Sequence, residues 1–223
     1  MTQVIVQDSA PVTLIGGGEV TQSDLEEALL RAPTLVAADG GADRALALGV
    51  KPRAVVGDFD SLSPEARAAL DPSILHLVAE QETTDFDKAL RAISAPLVLA
   101  VGFLGKRIDH QLAALNVLVQ PHGARCILIG AHEVVVHLTA PLQLVMEAGA
   151  VVSLFPLAEV TGRSEGLEWS IDGLVLSPMT RIGTSNRATG PVRIEVDGPG
   201  LLAMLPRSAL DGLIRAMLAG PSH

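Results

Sequence analysis

The sequence is short of cysteine, aromatic residues and positive charge. A single cysteine, Cys126, excludes an internal disulfide framework and any metal site built on clustered thiolates. It lies in "ARCILIG", where it reads as a small buried hydrophobe rather than a nucleophile. Aromatics supply 2% of the 223 residues, so a core must be built from Ala, Val and Leu. Lys and Arg number 16 against 25 Asp and Glu, and the net charge of −9 argues against DNA or RNA as the main partner. No run approaches the roughly 18 uninterrupted apolar residues of a membrane span. The longest candidate, 134–160, is interrupted by His137, Gln143 and Glu147, is rich in Val, and reads as buried strands. "MTQVIVQDSAP" has neither a basic start nor a long apolar stretch, so no secretory signal is expected and the default location is cytoplasmic. Repeats, low-complexity tracts and long linkers are absent too.

What is present is apolar and finely punctuated. The hydrophobic fraction is 48% and the charged fraction 18%, values of a folded chain long enough for one large domain or two small ones. From residue 12 to about 130, short apolar runs alternate with helical patterns. "VTLI" (12–15), "TLVAA" (34–38), "AVVG" (54–57), "ILHLV" (74–78), "LVLAV" (97–101) and "CILI" (126–129) are the strand candidates. Thr21 with Asp24 forms a capping box, Ser63-Pro64 an N-cap with proline at the first helical position, and "DFDKALRAI" an acid-first helix. The alternation predicts an α/β domain with a parallel sheet, over 1–131. In 132–223, "EVVVHL", "LQLVM", "AVVSLF", "LEWSI", "GLVLS" and "VRIEV" predict short strands of an antiparallel sandwich or barrel, with "SALDGLIRAML" as a closing amphipathic helix.

In open α/β sheets ligands bind beyond the carboxyl ends of the strands. Here each of the first five strands runs into a polar or glycine-rich segment: "GGGE", "DGGADRAL", "GDFDS", "EQETTDFDKAL" and "GFLGKRIDHQ". Asp58 and Asp60, at i and i+2 of an extended segment, point the same way and repel unless a cation sits between them. Mg²⁺ takes one or two carboxylates and leaves positions for water and phosphate oxygens. Asp85 adds a third carboxylate, with plain helix-terminal charge as its competing explanation. Asp39 before Gly40 either shapes a turn or lets backbone approach a nucleotide. Lys106 and Arg107 suggest phosphate contacts, a solvated surface pair being the alternative. Together these residues describe phosphoryl-group transfer by positioning and charge neutralisation. The Walker A pattern is missing, and no histidine pair has zinc-protease spacing. For His110, packing or capping competes with catalysis, and for Trp169 a core position competes with stacking on a ligand.

"DGGAD", "GDFDS", "TTDFDKAL", "GKRIDHQLAALN" and "GTSN", in this order, resemble the thiamine pyrophosphokinase family. The resemblance covers most of 12–206. It implies an N-terminal nucleotide-binding domain, a β-rich thiamine-binding domain, a homodimer, and Mg²⁺-dependent transfer of a pyrophosphoryl group from ATP to thiamine, releasing AMP. Carried over by position, Asp58, Asp60 and Asp85 match the catalytic and metal centre. Asp39, Arg107 and Asp109 match the nucleotide site, to which the residue reading above adds Gly40 and Lys106, and Ser185 and Asn186 match the thiamine site. Asn116 falls in the matching block, where helix packing is its simpler role. Three residues depart from the family pattern: Glu82 where Asp is frequent, Lys106 where Gly is, and Gly183 where Ser is. A haloacid-dehalogenase-like phosphatase also uses D-x-D, but after its first strand rather than its third. A non-catalytic nucleotide or thiamine sensor would not need three metal-holding carboxylates.

Overall fold

Four apolar runs of the first half, 12–15, 54–57, 98–101 and 126–129, become strands buried along their whole length, the signature of a sheet covered on both faces. The computed structural model describes residues 3–105, 107–122 and 124–219. The chain divides into two compact units, Met1–Gly130 and Ala131–His223. In the first unit the order is β1 (Val6–Gln7), β2 (Val12–Ile15), α1 (Gln22–Arg31), β3 (Thr34–Ala38), α2 (Gly41–Ala47), β4 (Ala54–Gly57), α3 (Pro64–Ala69), β5 (Leu75–Leu77), α4 (Asp85–Arg91), β6 (Ile93–Ser94), β7 (Val98–Val101), α5 (Ile108–Leu118) and β8 (Cys126–Ile129). Six of these strands form one sheet in the order β8-β7-β2-β3-β4-β5, every pair parallel. β1 and β6 form a separate parallel pair.

Local chemistry sets the helix starts. Thr21 accepts from the Asp24 amide while the Asp24 carboxylate accepts from the Thr21 amide, closing the capping box ahead of α1. Ser63 caps α3 through the Ala66 amide, with Pro64 at the first position. Thr84 caps α4 through the Asp87 amide.

The sheet order carries the functional consequence. From β2 the chain steps outward to β3, β4 and β5, then returns to lay β7 and β8 on the other side of β2. The connections therefore diverge at β2 and β7, opening a crevice above their carboxyl ends.

The second unit contains β9 (Glu133–Leu138), β10 (Leu142–Leu144), β11 (Val151–Pro156), β12 (Gly162–Leu167), β13 (Gly183–Val196), β14 (Leu201–Pro206) and α6 (Leu210–Ala219). All its ladders are antiparallel. Strand direction over the whole chain is thus mixed: parallel first, antiparallel after. β13 is 14 residues long and serves two sheets. Its first part, Gly183–Arg187, pairs with β11, while Ala188–Val196 pairs with β12 and part of that stretch with β10.

Two expected strands are not strands. "LEWSI" leaves β12 after Leu167, and side chains replace its ladder: Ser164 Oγ accepts from the Ile171 amide and Asp172 from the Ser164 amide. "GLVLS" contributes one isolated bridge, Val160 to Leu176. Among the described residues no helix is long and apolar enough to cross a membrane.

Candidate active site

The crevice above β2 and β7 is a cleft of about 750 Å³ lined entirely by the first unit. Its floor is backbone. A Cβ on Gly41 would stand 2.1 Å from the Ile15 carbonyl, and one on Gly18 would stand 2.5 Å from that of Gly102. Glycine is required at both positions by close approach of the main chain.

The carboxylates gather on one wall. One oxygen from each of Asp39, Asp58, Asp60 and Asp85 lies within 4.8 Å of the others. The sequence reading anticipated the grouping of Asp58, Asp60 and Asp85 but not the place of Asp39 among them, and it gave the wrong geometry for the first pair. β4 ends at Gly57, and Phe59 takes a positive φ of 66°, so a turn rather than strand alternation brings Asp58 and Asp60 together. The Asp60 amide donates to Asp58 Oδ1 at 3.3 Å within that turn. Gly57 is part of the device, because a Cβ there would meet Asp39 Cβ at 2.8 Å.

Asp39 closes the strand end of β3, with its amide bonded to the Val56 carbonyl at 3.0 Å. It is 1% exposed, and neither carboxylate oxygen has a hydrogen-bond partner. Burial, with the charge of Asp85 next in weight and those of Asp60 and Asp58 behind it, pushes its pKa up to about 7. The Ser61 backbone pulls the other way without reaching hydrogen-bond geometry. A buried, unpartnered carboxylate beside three more is an oxygen-donor set suited to a hard divalent cation.

Lys88 was not singled out in the sequence. It projects from α4 beneath the cluster, donating to Asp58 Oδ2 at 2.7 Å and to Asp85 Oδ1 at 3.1 Å. The Lys88 hydrogen bond, foremost, holds the Asp58 carboxyl below its ordinary pKa. Burial opposes the ammonium, but the hydrogen bonds and charges of Asp58 and Asp85 outweigh it and keep the Lys88 pKa raised. The available signal was its place inside the apolar stretch of α4, between the buried Phe86 and the buried Ala89 and Leu90. Gln81, also missed, donates to Asp58 Oδ2 at 3.2 Å.

Gly40, Arg107, Asp109 and His110 line the cleft. Arg107 and Asp109 are exposed and pair with each other, Nη2 to Oδ2 at 2.6 Å and Nε to Oδ1 at 3.1 Å. Lys106 lies outside the described residues. Glu82 is exposed and not part of the carboxylate group. His110 and Asn116 are exposed, so packing explains neither.

In the second unit, Ser185, the third residue of β13, takes a positive φ of 63° and its amide donates to Ser153 Oγ at 2.9 Å. "GTSN" reads by residue type as a turn; it is strand, with one left-handed residue beside the register shift between β11 and β13. Asn186 is buried, and its amide is bonded to the main chain of Trp169. Trp169 is 57% exposed, against the expectation of a core position.

A family model described as "Thiamin pyrophosphokinase, catalytic domain" matches residues 25–129, and another, "Thiamin pyrophosphokinase, vitamin B1 binding domain", matches 135–201. The chain belongs to the thiamine pyrophosphokinase family. Thiamine pyrophosphokinase 1 of Oryza sativa subsp. japonica is 27% identical over 195 residues, covering 70% of this chain and 72% of the relative. Thiamine pyrophosphokinase 1 of Arabidopsis thaliana is 28% identical over 188 residues, covering 67% and 68%. The thiamin pyrophosphokinase structure from Candida albicans superposes with a TM-score of 0.75 at 16% identity, covering 89% of both chains. The yeast thiamin pyrophosphokinase structure gives 0.72 at 17%, covering 95% of this chain and 90% of that one. At such identities these two likenesses establish the fold, α/β with a β-rich C-terminal part. With the chain placed in the thiamine pyrophosphokinase family, the phosphatase reading falls.

Proposed function

We propose that the four-carboxylate cleft is where this thiamine pyrophosphokinase moves the pyrophosphoryl group of ATP onto the hydroxyl of thiamine, giving thiamine diphosphate and AMP. The observation that carries the reading is Asp39, buried without a partner and facing Asp58, Asp60 and Asp85. Asp58, Asp60 and Asp85 are the catalytic and metal-holding residues in this reading, with Asp39 beside them. Mg²⁺ held there supplies neutralisation of the charge that develops on phosphate oxygens.

The chain's own groups do the positioning. Glycines 16–18 and Gly40 admit the polyphosphate close to backbone amides, and Arg107 offers a guanidinium at the rim once it exchanges Asp109 for phosphate. Lys106 joins them as a second cation in the same loop. The first unit is then the ATP-binding parallel-sheet domain and the second the thiamine-binding domain. Ser185 and Asn186 shape the thiamine site, Asn186 by fixing Trp169. The working form is a homodimer in the cytoplasm, and the acidic surface suits a cationic substrate.

The test is incubation with ATP, Mg²⁺ and thiamine followed by product separation. Equal amounts of AMP and thiamine diphosphate are expected. ADP with thiamine monophosphate would overturn attack at the β-phosphorus, and phosphate released without thiamine would overturn the whole reading.

A further inference from the structure

Lys88 is the one fully buried basic residue among the described residues, at 2% exposure. An ammonium taken out of water is costly unless its hydrogen bonds and charge are matched. Both of its hydrogen-bond partners are proposed metal-holding carboxylates, and they come from different elements. Asp85 is one helical turn back on α4, and Asp58 is 30 residues away at the end of β4. The ammonium engages one oxygen of each carboxylate. It thereby bridges the two loops whose spacing decides whether the four acids converge.

We propose that Lys88 is a positioning residue. It clamps Asp58 to Asp85 from beneath, so that the carboxylates present a preassembled set of oxygens to a divalent cation. The inference rests on the metal-site reading above. A clamp and a simple counter-charge make opposite predictions. If Lys88 only offsets negative charge, removing it makes the cluster more attractive to Mg²⁺. If it holds geometry, removing it lets the two carboxylates repel one another and weakens binding, although the site has become more negative.

The experiment is calorimetric titration of nucleotide-free protein with Mg²⁺, comparing wild type, Lys88→Met and Lys88→Arg, with thermal melting as the control for folding. Loss of an orienting contact of this kind typically costs about 10–100-fold in metal affinity or activity. Lys88→Met is expected to bind Mg²⁺ more weakly by that factor, and kcat to fall with little change in the KM for thiamine. Lys88→Arg, which keeps charge and two donors, is expected to recover part of the loss. Unchanged or tighter Mg²⁺ binding by Lys88→Met, with wild type binding normally, overturns the clamp and leaves the metal site standing. Failure of wild type to bind Mg²⁺ overturns the metal-site reading itself. If Met does not fold, Lys88→Gln replaces it. If neither folds even with saturating Mg²⁺, the residue is structural and the inference falls.

Discussion

The side-chain amide of Asn186 holds the main chain of Trp169 at both of its polar groups: Oδ1 accepts from the Trp169 amide at 3.1 Å, and Nδ2 donates to the Trp169 carbonyl at 2.6 Å. The same Oδ1 accepts from the Arg187 amide at 2.8 Å. The polar residue is buried, and the indole it supports is exposed.

That relationship predicts an optical signal. Trp169 is the sole tryptophan in the sequence, so protein emission excited at the red edge comes from it alone. Thiamine is expected to quench it. Asn186→Ala removes both ties, with loss of one such contact worth about 1–2 kcal/mol, so KM for thiamine should rise on the order of tenfold. Emission unmoved by saturating thiamine would separate Trp169 from the substrate.

Asp58→Asn and Asp60→Asn keep shape and remove charge. Each is expected to fold and to lose about 10²–10³ in kcat, the usual cost of one transition-state charge contact. Asp58→Asn should also lower the melting temperature more than Asp60→Asn, because it weakens the salt bridge to Lys88. Near-normal turnover in saturating Mg²⁺ would remove these residues from the reaction centre.

Asp39 predicts a pH dependence in the metal-free protein. Its folded pKa, about 7, lies above the ordinary 3.8. The folded state therefore binds more protons than the unfolded state between those values, and stability falls as pH rises through that window. Asp39→Asn stays neutral throughout. In denaturant melts with chelator, the variant should be more stable than wild type at pH 8, on the order of 2–4 kcal/mol at most, with the gap closing near pH 4. Parallel stability curves for the two proteins would contradict a strained carboxylate.

If the proposed homodimer draws the nucleotide groups of each site from one chain and the thiamine contacts from the other, mixing two variants will reveal it. Asp58→Asn and Asn186→Ala subunits, refolded together in equal amounts, should make about half the dimers mixed, each with one undamaged site. Assayed at thiamine well below KM, where an Asn186→Ala site with a roughly tenfold higher KM works at about a tenth of the wild-type rate, activity should return to slightly more than a quarter of wild type, roughly. Verified heterodimers without recovered activity would mean that each site is built within one chain.

The first unit was legible because its strands are buried on both faces and read as unbroken apolar runs, with helix caps that residue type alone identifies. The short β1 and β6 were missed, and β5 is shorter than "ILHLV", with its Leu77 63% exposed. The carboxylates were legible from their place after strands, but the positive φ of Phe59 was not, since nothing about phenylalanine announces a left-handed turn. Lys88 was passed over because lysine in a helix reads as surface, and only tertiary contact shows the ammonium turned inward. β13 was broken by Gly183, Gly190 and Pro191, residues that signal turns locally. They sit in a strand that changes partners, where irregular register gives such residues a place.

The partner pattern of β13 and β14 also dictates an order of events on the ribosome. Within the second unit, none of β9, β10, β11 and β12 pairs with another of those four; each waits for β13, β14 or both. A nascent chain that has emerged only as far as residue 182 holds β10, β11 and β12 with no mates. Hydrophobic edges such as "VVVHL" then depend on a late-arriving segment for cover. The residues proposed to shape the thiamine site, Ser185 and Asn186, belong to that same segment. Completion of the proposed thiamine site and closure of these sheets therefore wait for the same segment of chain.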